Sequence, residues 1–179
     1  MAKIKEARGT RSVRRAQRRQ AWAVGGALAV LGLAALGYFA YRAAATLPGA
    51  AVAELGNEHI PTETTPHVPY NTDPPTSGPH LPHIAPWGIH TTPIVKELQV
   101  HNLEDGGILV QYNCDCPDLA AKLAEIVKRY DKNVILAPYP GMKSRIALTA
   151  WGRIDEFEEL DERRVVRFIE AFRGIDHHK

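Results

Sequence analysis

The chain has 179 residues, with 22 Lys or Arg against 20 Asp or Glu, eight His, two Cys and a formal net charge of +2. That charge averages two unlike regions: residues 1–42 hold nine Lys or Arg and one acid, which leaves the remainder at −6. A basic nucleic-acid-binding face is thereby excluded from the part that can fold, and about 135 residues beyond the amino-terminal region suffice for one core but hardly for two.

Residues 1–20 carry eight Lys or Arg and Glu6 and read as a basic cytoplasmic tail. Residues 21–41, AWAVGGALAVLGLAALGYFAY, are uncharged throughout. At about 1.5 Å per helical residue, twenty-odd apolar residues reach across roughly 30 Å of hydrocarbon, and basic flanks stay on the cytoplasmic side. The expectation is a single-pass signal-anchor helix in the cell membrane, with the lipid bilayer as its partner and the following domain extracytoplasmic. Length argues against a cleaved signal, whose apolar core runs about 7–15 residues, although Ala51-Val52-Ala53 has the form of a cleavage site. Neither Arg14-Arg15 nor Arg18-Arg19 sits in a full twin-arginine motif.

Residues 42–65 lack periodicity and read as a linker, with the domain over 66–179. From 66 to 93 there are eight prolines together with His67, His80, His83 and His90. Proline fixes φ and lacks a donor, so this stretch is neither a helix nor a central strand. Tyr70, Ile84, Trp87 and Ile89 indicate an extended loop packed on a core, and its length points to function.

Residues 108–112 (ILVQY) predict a strand. A helix follows, with Cys116 before it, Pro117 at its first position, Asp118 in its first turn, and Leu119, Leu123, Ile126, Val127 and Tyr130 on one face. Residues 134–137 predict a second strand, Pro138, Pro140 and Gly141 a turn, and 146–151 a third strand. A last helix is capped by Asp161, turns Val165, Phe168, Ile169 and Phe172 inward, and stops before Gly174. The fold class expected is α+β, a β-α-β-β-α sandwich. Its first two strands are parallel through a right-handed crossover, its next two form a hairpin, and the Pro/His loop covers the second face of the sheet.

Four stretches occur in order: PPTSGPH at 74–80, APWG at 85–88, VHNLEDGG at 100–107 and ALTAWGR at 147–153. Together they resemble the bacterial family called domain of unknown function 3105, over residues 70–172. The resemblance implies anchoring by one amino-terminal helix and bears on fold and topology more than on activity. The family's form of the third stretch is similar to V-H-x-L-E-H-G-G, and this chain has Asp105 where that histidine stands. Either Asp105 substitutes as an oxygen ligand or hydrogen-bond acceptor, or the position is not a ligand. The Cys114-Asp115-Cys116 motif is a feature of some members only.

The chemistry-bearing residues admit three readings. The first is a metal site from His80 and His101, with His83, Cys114, Cys116 and Met142 as further ligands and His90 in the same neighbourhood. Imidazole, thiolate and thioether together suit copper, Cu(I) above all, and imply binding and delivery. No zinc-type spacing is present, and each histidine has a competing role in locking the loop by ring N–H bonds to carbonyls. The second is thiol–disulfide exchange by Cys114 and Cys116 at a helix start, where the dipole lowers a thiol pKa; a one-residue gap departs from ordinary disulfide geometry. The third is a non-catalytic accessory module for a membrane partner, anchored by Trp87, Tyr139 and Trp151.

Hydrolysis by Ser77 with His80 or His101 and Asp73, Glu104 or Asp105 lacks a nucleophile elbow, and PPTSGP is explained as turn sequence. Glu104 and Asp105 read as solvated carboxylates or as paired acids. Gly106-Gly107 is not a phosphate loop, and His177 and His178 read as a frayed end. No catalytic residue is assigned. The overall expectation is a membrane-anchored extracytoplasmic protein that binds or delivers copper.

Overall fold

A computed structural model describes residues 22, 25, 26, 28–42 and 47–178. The chain divides into two compact units, Met1–Leu47 and Pro48–Lys179. In the first, residues 28–42 are helical. No helix among the described residues is long and apolar enough to cross a membrane. This corrects the reading of 21–41 as a membrane-spanning anchor and the membrane localisation that followed from it. Residues 1–20, 21, 23, 24 and 27, on which part of that reading fell, lie outside the described residues.

The second unit is α+β. Its elements are β1 (Ala50–Ala51), β2 (Gly88–Ile89), α1 (Lys96–Glu104), β3 (Ile108–Tyr112), α2 (Pro117–Val127), β4 (Val134–Pro138), β5 (Ile146–Ala150), β6 (Arg153–Phe157) and α3 (Glu162–Phe172). They form one mixed six-stranded sheet in the order β1-β6-β5-β3-β4-β2. β3 and β4 are parallel, Ile108 opposite Val134, as the crossover through α2 requires. The β-α-β-β-α order does not hold, however. β5 pairs antiparallel with β3 rather than with β4, and its hairpin partner is β6. Both flanks of β3 are thus filled, which leaves β4 free to take β2 on its outer edge.

The central strands are buried on both faces, so they read as continuous apolar runs instead of alternating ones. Ile108 and Val110 of β3, Val134 and Leu136 of β4, and Ile146, Leu148 and Ala150 of β5 pack with Leu119, Leu123, Ile126 and Val127 of α2 and Val165, Phe168 and Ile169 of α3. The alternate residues Leu109, Ile135 and Ala137 pack with Val100 and Leu103 of α1, Ala85 and Trp151, and Tyr70, Trp87 and Ile94 of the proline-rich stretch complete that layer. Asp161 caps α3 by accepting from the Arg164 N–H at 3.1 Å.

α1 carries no sequence stripe because its buried face is largely polar. Asn102 donates to and accepts from the Ala85 backbone, both at 2.9 Å, while Gln99 accepts from Gln111 at 3.0 Å and donates to the Ile94 carbonyl at 2.6 Å. These bonds satisfy groups whose burial would otherwise cost about 1–3 kcal/mol each. Residues 48–65 of the stretch read as a linker belong to this unit. Ala50 and Ala51 pair with Ile154 and Arg153, and Ile60 is buried.

The turn from α1 into β3 is tight. Gly107 N–H donates to the Asn102 carbonyl at 2.7 Å, and a Cβ on Gly107 would overlap that oxygen and stand 2.6 Å from Trp87 Cζ3. Gly107→Ala is therefore expected to cost about 1–3 kcal/mol through overpacking, measured by urea denaturation; an unchanged midpoint would contradict this packing.

Candidate metal centre

Two local arrangements build the centre. In α1, His101 and Glu104 stand at i and i+3 and share a face, at the end where the helix stops at Gly106, φ +73°. Segment 55–60 lies alongside 77–80. Leu55 N–H donates to Ser77 Oγ at 3.0 Å, Gly78 N–H to the Gly56 carbonyl at 3.0 Å, His80 N–H to the Glu58 carbonyl at 2.9 Å and Ile60 N–H to the His80 carbonyl at 2.8 Å. This short parallel pairing sets His59 beside His80. Leu81 N–H then donates to the Glu97 carbonyl at 3.0 Å and ties the strip to α1.

Three imidazoles converge on one carboxylate. Glu104 Oε2 lies 2.9 Å from His80 Nε2, 3.7 Å from His59 Nε2 and 4.0 Å from His101 Nδ1. The ring centroids form a nearly equilateral triangle with sides of 4.9, 5.1 and 5.1 Å. Glu104 Oε1 accepts from Asn57 Nδ2 at 2.9 Å. His80 Nδ1 donates to the Gly78 carbonyl at 2.7 Å and Nε2 donates to Glu104 Oε2 at 2.9 Å, since both oxygens only accept, so an ion at the centre would take the place of the Nε2 proton. Holding one ring nitrogen on a backbone carbonyl while the other faces a shared centre is how metal-ligating histidines are oriented.

Two groups of the centre, Glu104 and His101, have displaced pKa values, both downward. Burial raises the Glu104 pKa, but the Asn57 hydrogen bond and the attraction and hydrogen bond of His80 outweigh it and hold the carboxyl below its usual range. Burial first, and His80 next, push His101 below the ordinary histidine range against the opposing pull of Asp105 and Glu104. His101 Nδ1 is buried and has no hydrogen-bond partner among the described residues. The His59 side chain is 46 % exposed, whereas those of His80, His101 and Glu104 are at most 11 % exposed, so an ion would enter past His59. His59, His80, His101 and Glu104 together can hold a metal ion.

The ligands expected from sequence separate. His80 and His101 meet at this centre. His83 is exposed and belongs to no metal-capable group among the described residues. Met142 is buried against Tyr139 and Ala147. Cys114 and Cys116 are joined in a disulfide and pack against the α2/α3 side of the sheet, opposite α1, so neither offers a thiolate. His90 Nε2 bonds the Pro86 carbonyl at 2.7 Å, a loop-locking role. Ser77 is fully buried with its Oγ accepting from Leu55, and Asp73 is engaged by Lys96 at 2.6 Å and by the Tyr139 hydroxyl, which dissolves the hydrolytic set. Tyr139 and Trp151 are core residues and Trp87 covers Gly107. A cavity of about 660 Å³ is lined by Tyr70, Asp73, Lys96, Lys143 and Glu156, and none of the converging histidines lines it.

Two residues of the centre are not among the ligands expected from sequence: His59 falls in the stretch 42–65, which reads as a linker, and Glu104 reads as a solvated or paired acid. Glu104 is 1 % exposed. The signal that was present is the i, i+3 spacing of His101 and Glu104, usable only once 96–104 is known to be a helix.

Both displaced pKa values have the same sign of effect. His101 and Glu104 are each depressed in the folded state, so each contributes stability that is present above its unfolded value and is lost on acidification. The losses begin below about pH 6.5 for His101 and below about pH 4.3 for Glu104. In metal-free protein, urea titrations at pH 7 and at pH 5 are expected to show a smaller loss of stability on acidification in His101→Asn than in wild type; the same loss in both would contradict the assignment.

No curated protein and no solved structure matches the chain. Residues 61–178 match the family described as protein of unknown function (DUF3105), a span that takes in His80, His101 and Glu104 and begins just after His59. The chain belongs to that family.

Proposed function

We propose that this protein is a metal-binding module that holds one divalent first-row transition ion on His59 Nε2, His80 Nε2, His101 Nδ1 and Glu104. The observation that carries this reading is His101 Nδ1, a buried nitrogen without a hydrogen-bond partner among the described residues, 4.0 Å from Glu104 Oε2. Leaving such an atom unsatisfied costs about 1–3 kcal/mol. The separation is too long for a hydrogen bond and suits two ligands of one ion, since bonds of about 2.0–2.1 Å set tetrahedral ligands about 3.4 Å apart. The ligand atoms lie within 4.8 Å of one another, so closure asks for small side-chain movements.

The donor set narrows the metal. Three imidazoles and a carboxylate suit Zn(II) or Cu(II), whereas Cu(I) is favoured by thiolate and thioether. Copper handling is therefore read as Cu(II) binding, with exchange through the His59 side, and not as Cu(I) delivery through Cys114, Cys116 or Met142. Purified protein titrated with Zn(II) and Cu(II) is expected to bind each tightly and Cu(I) weakly. An excess of a hundred times Kd is expected to raise stability by about 2.7 kcal/mol, read as a rise in Tm. Glu104→Gln, which keeps the side-chain volume, is expected to weaken binding at least about a hundredfold, and Asn57→Ala, which removes a supporting hydrogen bond, about ten- to a hundredfold. Equal affinity in wild type and Glu104→Gln would refute the site.

A further inference from the structure

Beside the first set lies another. His101, Asp105 and His178 can together hold a metal ion. His101 Nε2 is 3.8 Å from Asp105 Oδ1, and His178 Nε2 is 3.6 Å from the same oxygen and 3.4 Å from Glu104 Oε2. These donor atoms crowd together at separations where the first two are too long for hydrogen bonds. The two nitrogens of the His101 ring thus face different sets, Nδ1 toward Glu104 with His59 and His80, and Nε2 toward Asp105 with His178.

The segment that brings His178 here is docked, not frayed. Gly174 N–H donates to the Gly106 carbonyl at 2.7 Å, His177 N–H donates to the Glu104 carbonyl at 2.9 Å, and the His177 ring stacks on Trp151 with centroids 5.8 Å apart. Gly106 makes this approach possible, because a Cβ there would stand 2.7 Å from the Ile175 nitrogen and 2.8 Å from the Ile175 oxygen. His178 Nδ1 bonds Asp176 at 2.7 Å, and Asp176 also accepts from the His178 backbone N–H at 2.9 Å. That carboxylate fixes the ring with Nε2 aimed at Glu104 and Asp105, the orienting arrangement found behind metal-bound histidines.

We propose that the protein has a second metal position, formed by His101 Nε2, Asp105 and His178, and that the His101 imidazole bridges the two ions. The inference rests on the metal reading of the first set. A neutral imidazole binds one ion through its bare nitrogen and keeps a proton on the other. Binding of the second ion releases that proton to solvent and leaves an imidazolate between the metals. Glu104, 2.9 Å from His80 and 3.4 Å from His178, places its negative charge between both positions. The class of ligand is again a divalent ion of the Zn(II)/Cu(II) kind, since two imidazoles and a carboxylate supply its donors.

The test is stoichiometry on the full chain, by equilibrium dialysis against Zn(II) with elemental analysis. Wild type is expected to hold two ions, and His178→Ala and Asp105→Asn one each, with the tighter ion retained within about threefold. With Cu(II), wild type is expected to show a spin-coupled pair in electron paramagnetic resonance and His178→Ala an isolated Cu(II) signal. One ion in wild type, unaltered by His178→Ala, would overturn the second position and leave the first standing. Loss of all binding in His178→Ala would also overturn it, by showing a single ion straddling both sets. No binding in wild type would overturn the first reading and this one with it.

Discussion

Burial of one carboxylate organises this domain. Glu104 sits at the end of α1 with 1 % exposure, and a buried, unpaired carboxylate is among the costlier things a fold can contain. The structure surrounds it with donors from separate parts of the chain: Asn57 and His59 from the early strip, His80 from the proline-rich stretch, His101 from its own helix and His178 from the C-terminal segment. Apart from α1, each of those segments is largely irregular by itself. Their shared dependence on Glu104 gives them fixed positions on the α1 face of the sheet.

A carboxylate collecting this many nitrogens is overprovided for structure alone. One hydrogen bond from His80 and one from Asn57 account for both of its oxygens. His59, His101 and His178 then approach without hydrogen bonds to it, and their like-charged protonated forms would repel. Keeping His101 neutral and close is favourable when a cation supplies the missing attraction, and metal binding is coupled to ligand deprotonation in this way. The depressed pKa of His101 is consistent with that requirement.

Much of the sheet was legible because its central strands are apolar runs and its two outer helices are amphipathic: β3, α2, β4, β5 and α3 were all anticipated close to their observed bounds, and so was the packing of the Pro/His stretch on the sheet. α1 was not, since Gln99, His101, Asn102 and Glu104 face inward and leave no apolar stripe. β6, with its sequence RIDEF, carries charges at Asp155 and Glu156 that mask a strand, although Asp155 is paired with Arg164 at 2.6 and 2.9 Å. The strand order went astray for a related reason: without β6, the only hairpin available to β5 was with β4. At the site, His80 and His101 were visible as residue types, but His59 could be found only through a backbone pairing of 55–60 with 77–80, which no side-chain pattern announces. Cys114 and Cys116 lie apart from this centre because β3 delivers them to the opposite face of the sheet from α1.

X-ray absorption at the metal edge of the Zn(II)-loaded protein tests most directly whether imidazoles gathered around a buried carboxylate form a metal centre. The expected result is nitrogen and oxygen neighbours at about 2.0–2.1 Å, with outer-shell scattering from at least three imidazole rings. A first shell containing sulfur at about 2.3 Å, or one without imidazole scattering, would contradict it.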